Sequence, residues 1–578
     1  MKKNYFLWIL GSFAITFCAC SSSTSNPETG NESLAARSSD STYTRVNANT
    51  SPLANKVLAL YAYGQQLIQN LDCENPAAWF YQGAMHNVPH LNEIGSGIDT
   101  LCASYATQDS TARRGWRSCP HMKPTNMQLN FLTWHRLYTY YYERNIRTLL
   151  KKNGISTEEA NQFSLPYWDY TNEQGMPEPF RLENFNYVLN EAQIIGNPLY
   201  FASRAPSLMQ GMPIDTTATD SIAINLGGSN VKNLCLRTMA QALNYNKFLA
   251  MADVSEFSRG MEDRLHNVMH DYIGGAVEAD DKGSEIYNPI YQKEETGGFG
   301  MMAYVPSAGF DPIFFLHHAN VDRMFYAWEA AYGEITPEQM QQYGGDWSVF
   351  KDTYQFWDEE TQQWITYETQ ADMLADAHSV QYTYEELPII KTAKPKATQL
   401  AGSAQRRILH KATHMEDQKA KVAGIENADR LDEDTAESKI VWVNKAQNKL
   451  TDTANKRYIL EADLTFGQNI LQQLVVFTIP EGEDWDACDL DPDYIFGVNA
   501  FFGSTHGMEH GTGSSRGHNS MSRPMDKLFT HTVQFDVTQA VRKMKPDSPD
   551  FKVYFGVLNG KNGGDFYLTE TRLFEEIR

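Results

Sequence analysis

The run Asp311-Pro-Ile-Phe-Phe-Leu-His317-His318-Ala-Asn-Val-Asp322-Arg323 sets two imidazoles, two carboxylates and a guanidinium among otherwise mostly apolar helix residues. Burying such groups among Phe, Leu, Met and Trp is costly unless each finds a partner. For an imidazole, a metal ion is one such partner. The design occurs again upstream, where Phe131-Leu-Thr-Trp-His135-Arg136-Leu-Tyr-Thr-Tyr-Tyr-Tyr-Glu143 carries one histidine and a charged pair in an aromatic helix. Between the two blocks, His266 and His270 stand four apart, so both project from one helix face and can reach one ion. With His86 and His121 ahead of His135, three histidines fall on each side, which predicts two similar metal centres. All-imidazole ligation suits copper or zinc. No carboxylate stands among the ligands as a general base and no His-Glu-x-x-His occurs, so redox copper is the better choice over hydrolytic zinc.

Spacing leaves two assignments open. His90 follows His86 by four residues, and the two cannot be separated on that ground. His317 and His318 are adjacent, and neighbouring helix residues point about 100° apart, so both should not face one ion. His506, His510 and His518 lie in a Gly/Ser-rich stretch that reads as a solvated loop.

At 578 residues the chain predicts two or three domains. Helical periodicity marks Leu129–Leu150, Asp263–Tyr272 and Ser307–Tyr332. The fold class expected is multidomain: a mainly α-helical catalytic domain over residues 52–335, followed by a segment over 336–390. A polar, charge-mixed linker over 391–437 then leads to a C-terminal β-sandwich domain over 438–578. The formal charge of −22 argues against a nucleic-acid partner.

Lys2 and Lys3 precede an apolar run, Tyr5 to Phe17, of signal-peptide length, and Phe17-Cys18-Ala19-Cys20 then opens onto a Ser-rich stretch. Residues 1–20 therefore read as a signal of bacterial lipoprotein type, with Cys20 as the lipidated residue and 21–51 as a flexible tether. The folded part is expected to be exported: an outer-membrane lipoprotein held by that anchor alone, or a periplasmic or secreted protein. Export favours disulfides, and Cys73 with Cys102 is a candidate bridge. Five cysteines beyond the signal leave one without a partner.

The two histidine blocks resemble the copper-A and copper-B signatures of the type-3 copper family of tyrosinases, catechol oxidases and hemocyanins, over roughly Trp79 to Trp328. The resemblance implies a four-helix-bundle core holding two copper ions, with O2 as co-substrate. It assigns copper A to His86, His121 and His135, and copper B to His266, His270 and His318. It also implies oxidation of phenols or catechols to o-quinones, with monophenol hydroxylation as a further step. The chain departs from the family where nine residues separate His121 from Phe131, as if Met122–Gln128 were inserted. Cys119-Pro120-His121 matches members in which the cysteine sulfur is joined to the histidine ring, which makes Cys119 a thioether candidate and accounts for the unpaired thiol. Glu262 and Asn267 match residues that order a water able to take the phenol proton. Val305 matches the position of a gate above copper B. Phe502-Gly-Ser-Thr-His506 and Val533-Gln-Phe535-Asp536-Val537 resemble the C-terminal domain of plant members, which implies shielding of the active site. The alternative within the same family is a hemocyanin-like protein that binds O2 reversibly.

Overall fold

The computed structural model describes residues 43–88, 101–102, 114–120, 128–170, 175–189, 194–212, 221–223, 233–235, 249, 254–275, 288–290, 300–342 and 353–390. Toward the C-terminus it describes 405–413, 420–422, 440–444, 456–466, 473–479, 494–500, 529–543, 550–558 and 566–577. Cys20, His90, His121 and the three histidines of 506–518 lie outside these residues.

Six helices position the site. They are α1 (Ala54–Gln69), α2 (Trp79–His86), α3 (Gln128–Lys152), α4, α5 (Ile313–Tyr332) and α6 (Gln370–His378). The α4 element begins as Val254–Arg259, widens into a π turn over Gly260–His266 and closes as Asn267–Ile273. α3 lies centrally, against α1, the first part of α4, α5 and α6. Its apolar and aromatic residues are buried on nearly all sides, including Phe131, Trp134, Tyr138 and Ile146, which is what a helix enclosed by neighbours requires. α5 begins where the Asp311 carboxylate accepts the Ile313 N–H and an ion pair from Arg204, with N–O 2.6 Å. α2 sits close to the turn before α5 because glycines leave room. A Cβ on Gly83 would stand 2.6 Å from the Phe310 ring, and one on Gly309 would stand 2.9 Å from the His86 Cβ. Cys73 and Cys102 form the expected disulfide.

The stretch expected to be a tether is structured from Tyr43. Strand β1 (Tyr43–Arg45) pairs in parallel with Tyr382–Tyr384, and Arg45 is fully buried. Its guanidinium pairs with Glu143 at 3.0 Å and Asp322 at 3.2 Å, and lies 3.7 Å from the centre of the Tyr382 ring. A single cation matched by two buried carboxylates thus anchors a segment whose composition carries no apolar signal. The segment 336–390 likewise belongs to the helical core. Strands β2 (Tyr354–Asp358) and β3 (Gln363–Tyr367) form a hairpin whose Phe356 stacks on Tyr141 of α3, and Tyr382–Tyr384 is β4.

The polar stretch expected to be a linker over 391–437 contains β5 (Gln405–Thr413) and β6 (Ala420–Val422). Both join the last strand of the chain. In the pairing register Arg406 and Arg407 stand opposite Glu576 and Glu575. The strands that follow them are β7 (Ile440–Asn444), β8 (Lys456–Phe466), β9 (Gln473–Ile479), β10 (Ile495–Ala500), β11 (Phe529–Asp536), β12 (Asp550–Leu558) and β13 (Phe566–Ile577). They make two antiparallel sheets, β11-β8-β13-β5 with β6 beside β13, and β10-β9-β12-β7. Leu460, Leu464, Phe535 and Leu573 of the first share one apolar core with Leu474, Val476, Val553 and Phe555 of the second.

Candidate dinuclear metal centre

Helical spacing places His266 and His270 on one face of α4, and α5 brings His317 and His318 to them. Ring nitrogens of these four lie within 4.8 Å of one another. His266 Nε2 is 3.0 Å from His318 Nε2 and 3.1 Å from His270 Nε2. Neutral nitrogen lone pairs at that spacing repel unless a cation joins them, so this donor set fits a metal ion. The opposite nitrogens are tied to oxygen. His270 Nδ1 is 2.9 Å from Met302 O, His318 Nδ1 is 2.8 Å from Phe314 O, and His266 Nδ1 is 2.8 Å from Asn267 Oδ1. Each of these oxygens accepts an Nδ1–H, which fixes the tautomer and turns the Nε2 lone pair toward the shared space where a metal would sit.

A second group joins His86, Cys119 and His135. His135 Nδ1 donates to Phe131 O at 2.7 Å, and its Nε2 is 3.3 Å from Cys119 Sγ. Cys119 reaches this place because residues 117–118 run along the end of α2, where Arg117 and Ser118 donate to Ala84 O and Met85 O. His121, the third ligand expected here, and its link to Cys119 fall outside the described residues.

The two groups adjoin. The His135 ring stacks on His318 at 4.5 Å, and His86 is 6.4 Å from His318. Phe131 and Phe314 fill the space around them. Phe131 lies 4.6 Å from both His135 and His266, and Phe314 lies 3.9 Å from His318 and 4.7 Å from His86. The six histidines of these two groups are all buried. Burial, followed by the neighbouring imidazoles, drives the His318 pKa well below its ordinary 6.5, so the ring stays in the neutral form that binds metal.

Geometry modifies two readings of the sequence. His317, expected to point away, has a ring nitrogen within the copper-B group. Its ring lies nearly parallel to His266 at 5.3 Å, and its Nδ1 is 3.2 Å from the Tyr170 hydroxyl. Asn267 engages His266 directly, and Glu262 is fully buried in the π turn. Beside it, burial and then the Glu262 charge push Asp263 up to about 7. Val305 is buried at the start of the short helix Val305–Ala308, which follows Met302. Tyr170 was not anticipated, since a lone tyrosine after Trp168-Asp169 gives no sequence signal.

The β-sheets touch the metal-bearing helix. β10 packs on the π turn and on Asn267–Ile273 of α4. Arg264 donates to Gln534 O and lies 5.2 Å from the Phe535 ring centre, while Arg457 joins Glu256 to Asp536.

Two adjoining groups of buried imidazoles, four of them with Nδ1 held by a carbonyl oxygen, define a dinuclear metalloprotein with a helical core. Residues 76–331 match the common central domain of tyrosinase, so this region of the chain is similar to the tyrosinase and polyphenol oxidase family of type-3 copper proteins. Members of that family are oxidoreductases that use two copper ions and O2. Tyrosinase HcTyr1 of a Hahella species is 25% identical over 298 residues, covering 51% of this chain and 55% of its own length. Polyphenol oxidase D, chloroplastic, of Solanum lycopersicum is 26% identical over 213 residues, covering 36% of this chain and 32% of its own. The chain thus matches about half or less of the length of these relatives. A solved latent aurone synthase (polyphenol oxidase) has the same fold, with a TM-score of 0.51 at 16% identity, covering 93% of this chain and 90% of that one.

Proposed function

We propose that this chain oxidises phenols or catechols to o-quinones with O2, holding copper A through His86, His121 and His135 and copper B through His266, His270 and His318. The observation that carries this reading is the stacked His135–His318 pair, which joins two imidazole groups in one buried space. Bound there, the copper ions supply the electron transfer by which O2 takes four electrons from two catechols. The chain's own residues do the rest. Carbonyl oxygens of Phe131, Met302 and Phe314 hold three imidazoles in the ligating tautomer. Phe131 and Phe314 exclude water, and Val305 borders the approach to copper B. Glu262 and Asn267 order a water that takes the proton of a monophenol, with Asn267 also orienting His266. Cys119 is joined to His121, which fixes that ring.

The organisation around this centre is part of the proposal. A helical bundle through residue 390 carries the coppers, and the two sheets pack as a sandwich on the α4 side and shield it. The chain is exported and anchored through Cys20. The test is to give copper-loaded protein simple catechols, tyramine and tyrosine, before and after cleavage between β4 and β5 with separation of the pieces. Quinone formation that rises on separation supports catalysis and shielding. Reversible O2 binding without catechol turnover would identify a carrier instead.

A further inference from the structure

We propose that binding of copper B and docking of the two sheets are coupled through the π turn of α4, with Arg264 and Arg457 as positioning residues for His266 and His270. This rests on the copper reading above and adds a regulation of that centre to it. The two ends of α4 are fixed on different partners. In Val254–Arg259, Phe257 stacks on Trp328 of α5 with ring centroids 5.0 Å apart, which ties this end to the helical core. At the other end, His266 and His270 join the imidazoles of α5. Between them the π turn over Gly260–His266 accommodates one residue more than an α turn would. Reversion to α geometry would turn one end about 100° against the other. His266 and His270 would then lose their place while Phe257 kept its own. A turn of this rare kind persists only where its surroundings hold it.

The sheets supply that hold. Arg264, two residues before His266, donates to Gln534 O and lies 5.2 Å from the centre of the Phe535 ring. Arg457 of β8 joins Glu256, in the first part of α4, to Asp536 of β11, with Nε 2.8 Å from Asp536 Oδ2. Residues 534–536 thus grip α4 both ahead of the π turn and within it. β10 packs on the π turn and on Asn267–Ile273. A copper ion on His266 and His270 favours the same turn geometry from within the helical core. Two partners that favour one conformation strengthen each other, and by linkage each does so by the same factor. Coupling of this kind is worth about 5–150-fold in affinity. It moves no electrons and no protons. A filled copper B therefore tightens the sheets on α4, and docked sheets slow the loss of copper B. His86 and His135 stand on α2 and α3, outside this element, so copper A does not share the coupling.

The experiment uses the full chain with and without copper(I), and compares wild type with Arg457→Met. Hydrogen exchange read by mass spectrometry follows the amides of α4, β10 and β11. Transfer to a copper(I) chelator follows release, and the phase lost in His270→Ala identifies copper B. The proposal expects copper to slow exchange in β10 and β11 of wild type. In Arg457→Met that slowing should be lost, and copper B should leave faster by about 5–150-fold with the copper A phase unchanged. Asp536→Asn, which weakens the same ion pair, replaces Arg457→Met if thermal unfolding shows that variant misfolded. Equal exchange in β10 and β11 of wild type with and without copper overturns the inference, as does equal acceleration of both release phases or of neither. Each of these leaves the copper reading intact. Failure of wild type to take up copper would instead remove the reading on which it rests.

Discussion

His135 of α3 and His318 of α5 stack with ring centroids 4.5 Å apart and only 12° from parallel. Each belongs to a different metal group, and each donates its Nδ1–H to the carbonyl four residues earlier in its own helix, Phe131 O and Phe314 O. Two helices with the same local design therefore meet with their metal-facing nitrogens in one buried space. The relation between the two groups is thus set by helix packing rather than by loops, which suits a site that must keep two ions at a fixed separation.

Asn267 separates two roles. Its Oδ1 accepts from His266 Nδ1 at 2.8 Å, so Asn267→Ala should weaken copper B by about 10–100-fold, as loss of an outer hydrogen bond to a metal-bound histidine does. Glu262→Gln should keep copper affinity and lose monophenol hydroxylation more than catechol oxidation, because catechols depend less on an ordered base. Copper titration followed by assays at full occupancy checks both. Full affinity in Asn267→Ala would leave it only the water-ordering role.

Asp322 is the hub of the buried charges. It accepts from Arg136 at 2.6 Å, Arg45 at 3.2 Å and the hydroxyls of Tyr382 and Tyr384. Asp322→Asn leaves two buried guanidiniums short of a counter-charge and should destabilise the helical core by about 3–5 kcal/mol. Chemical denaturation followed by tryptophan fluorescence measures this, and a change under about 1 kcal/mol would show that water or other groups take over the role.

The same network fixes a pH dependence. Burial alone would raise Asp322, Glu329 and Glu143, but their arginine partners hold all three below their ordinary 3.8 and 4.5. A carboxylate with a lowered folded pKa contributes stability that is present above its unfolded value and is lost as pH falls through the folded one. Thermal stability should therefore hold above about pH 5 and decline steeply below about pH 4. A flat profile down to pH 3, measured by calorimetry at constant ionic strength, would contradict this.

Much of this site is legible in the sequence because metal ligands within helices leave periodic marks. The four-residue spacing of His266 and His270, and the polar intrusions at His135 and His317–His318, stand out against aromatic helices. What could not be read depends on contacts distant along the chain. Arg45 finds Glu143 and Asp322 from 98 and 277 residues away, so its stretch resembles a tether. Strand β5 pairs with β13, a partner more than 150 residues later in the chain. The reach of His317 into the copper-B group depends on side-chain torsions and on Tyr170, neither of which helical phase encodes.

The central claim is a dinuclear copper centre, and metal analysis of the full chain after anaerobic copper loading and removal of excess tests it most directly. The account predicts two copper ions per chain in wild type. Alanine at His270 or His318 should leave about one, because each strips a ligand from one group only. A single ion in wild type, or retention of zinc alone with copper refused, would contradict it.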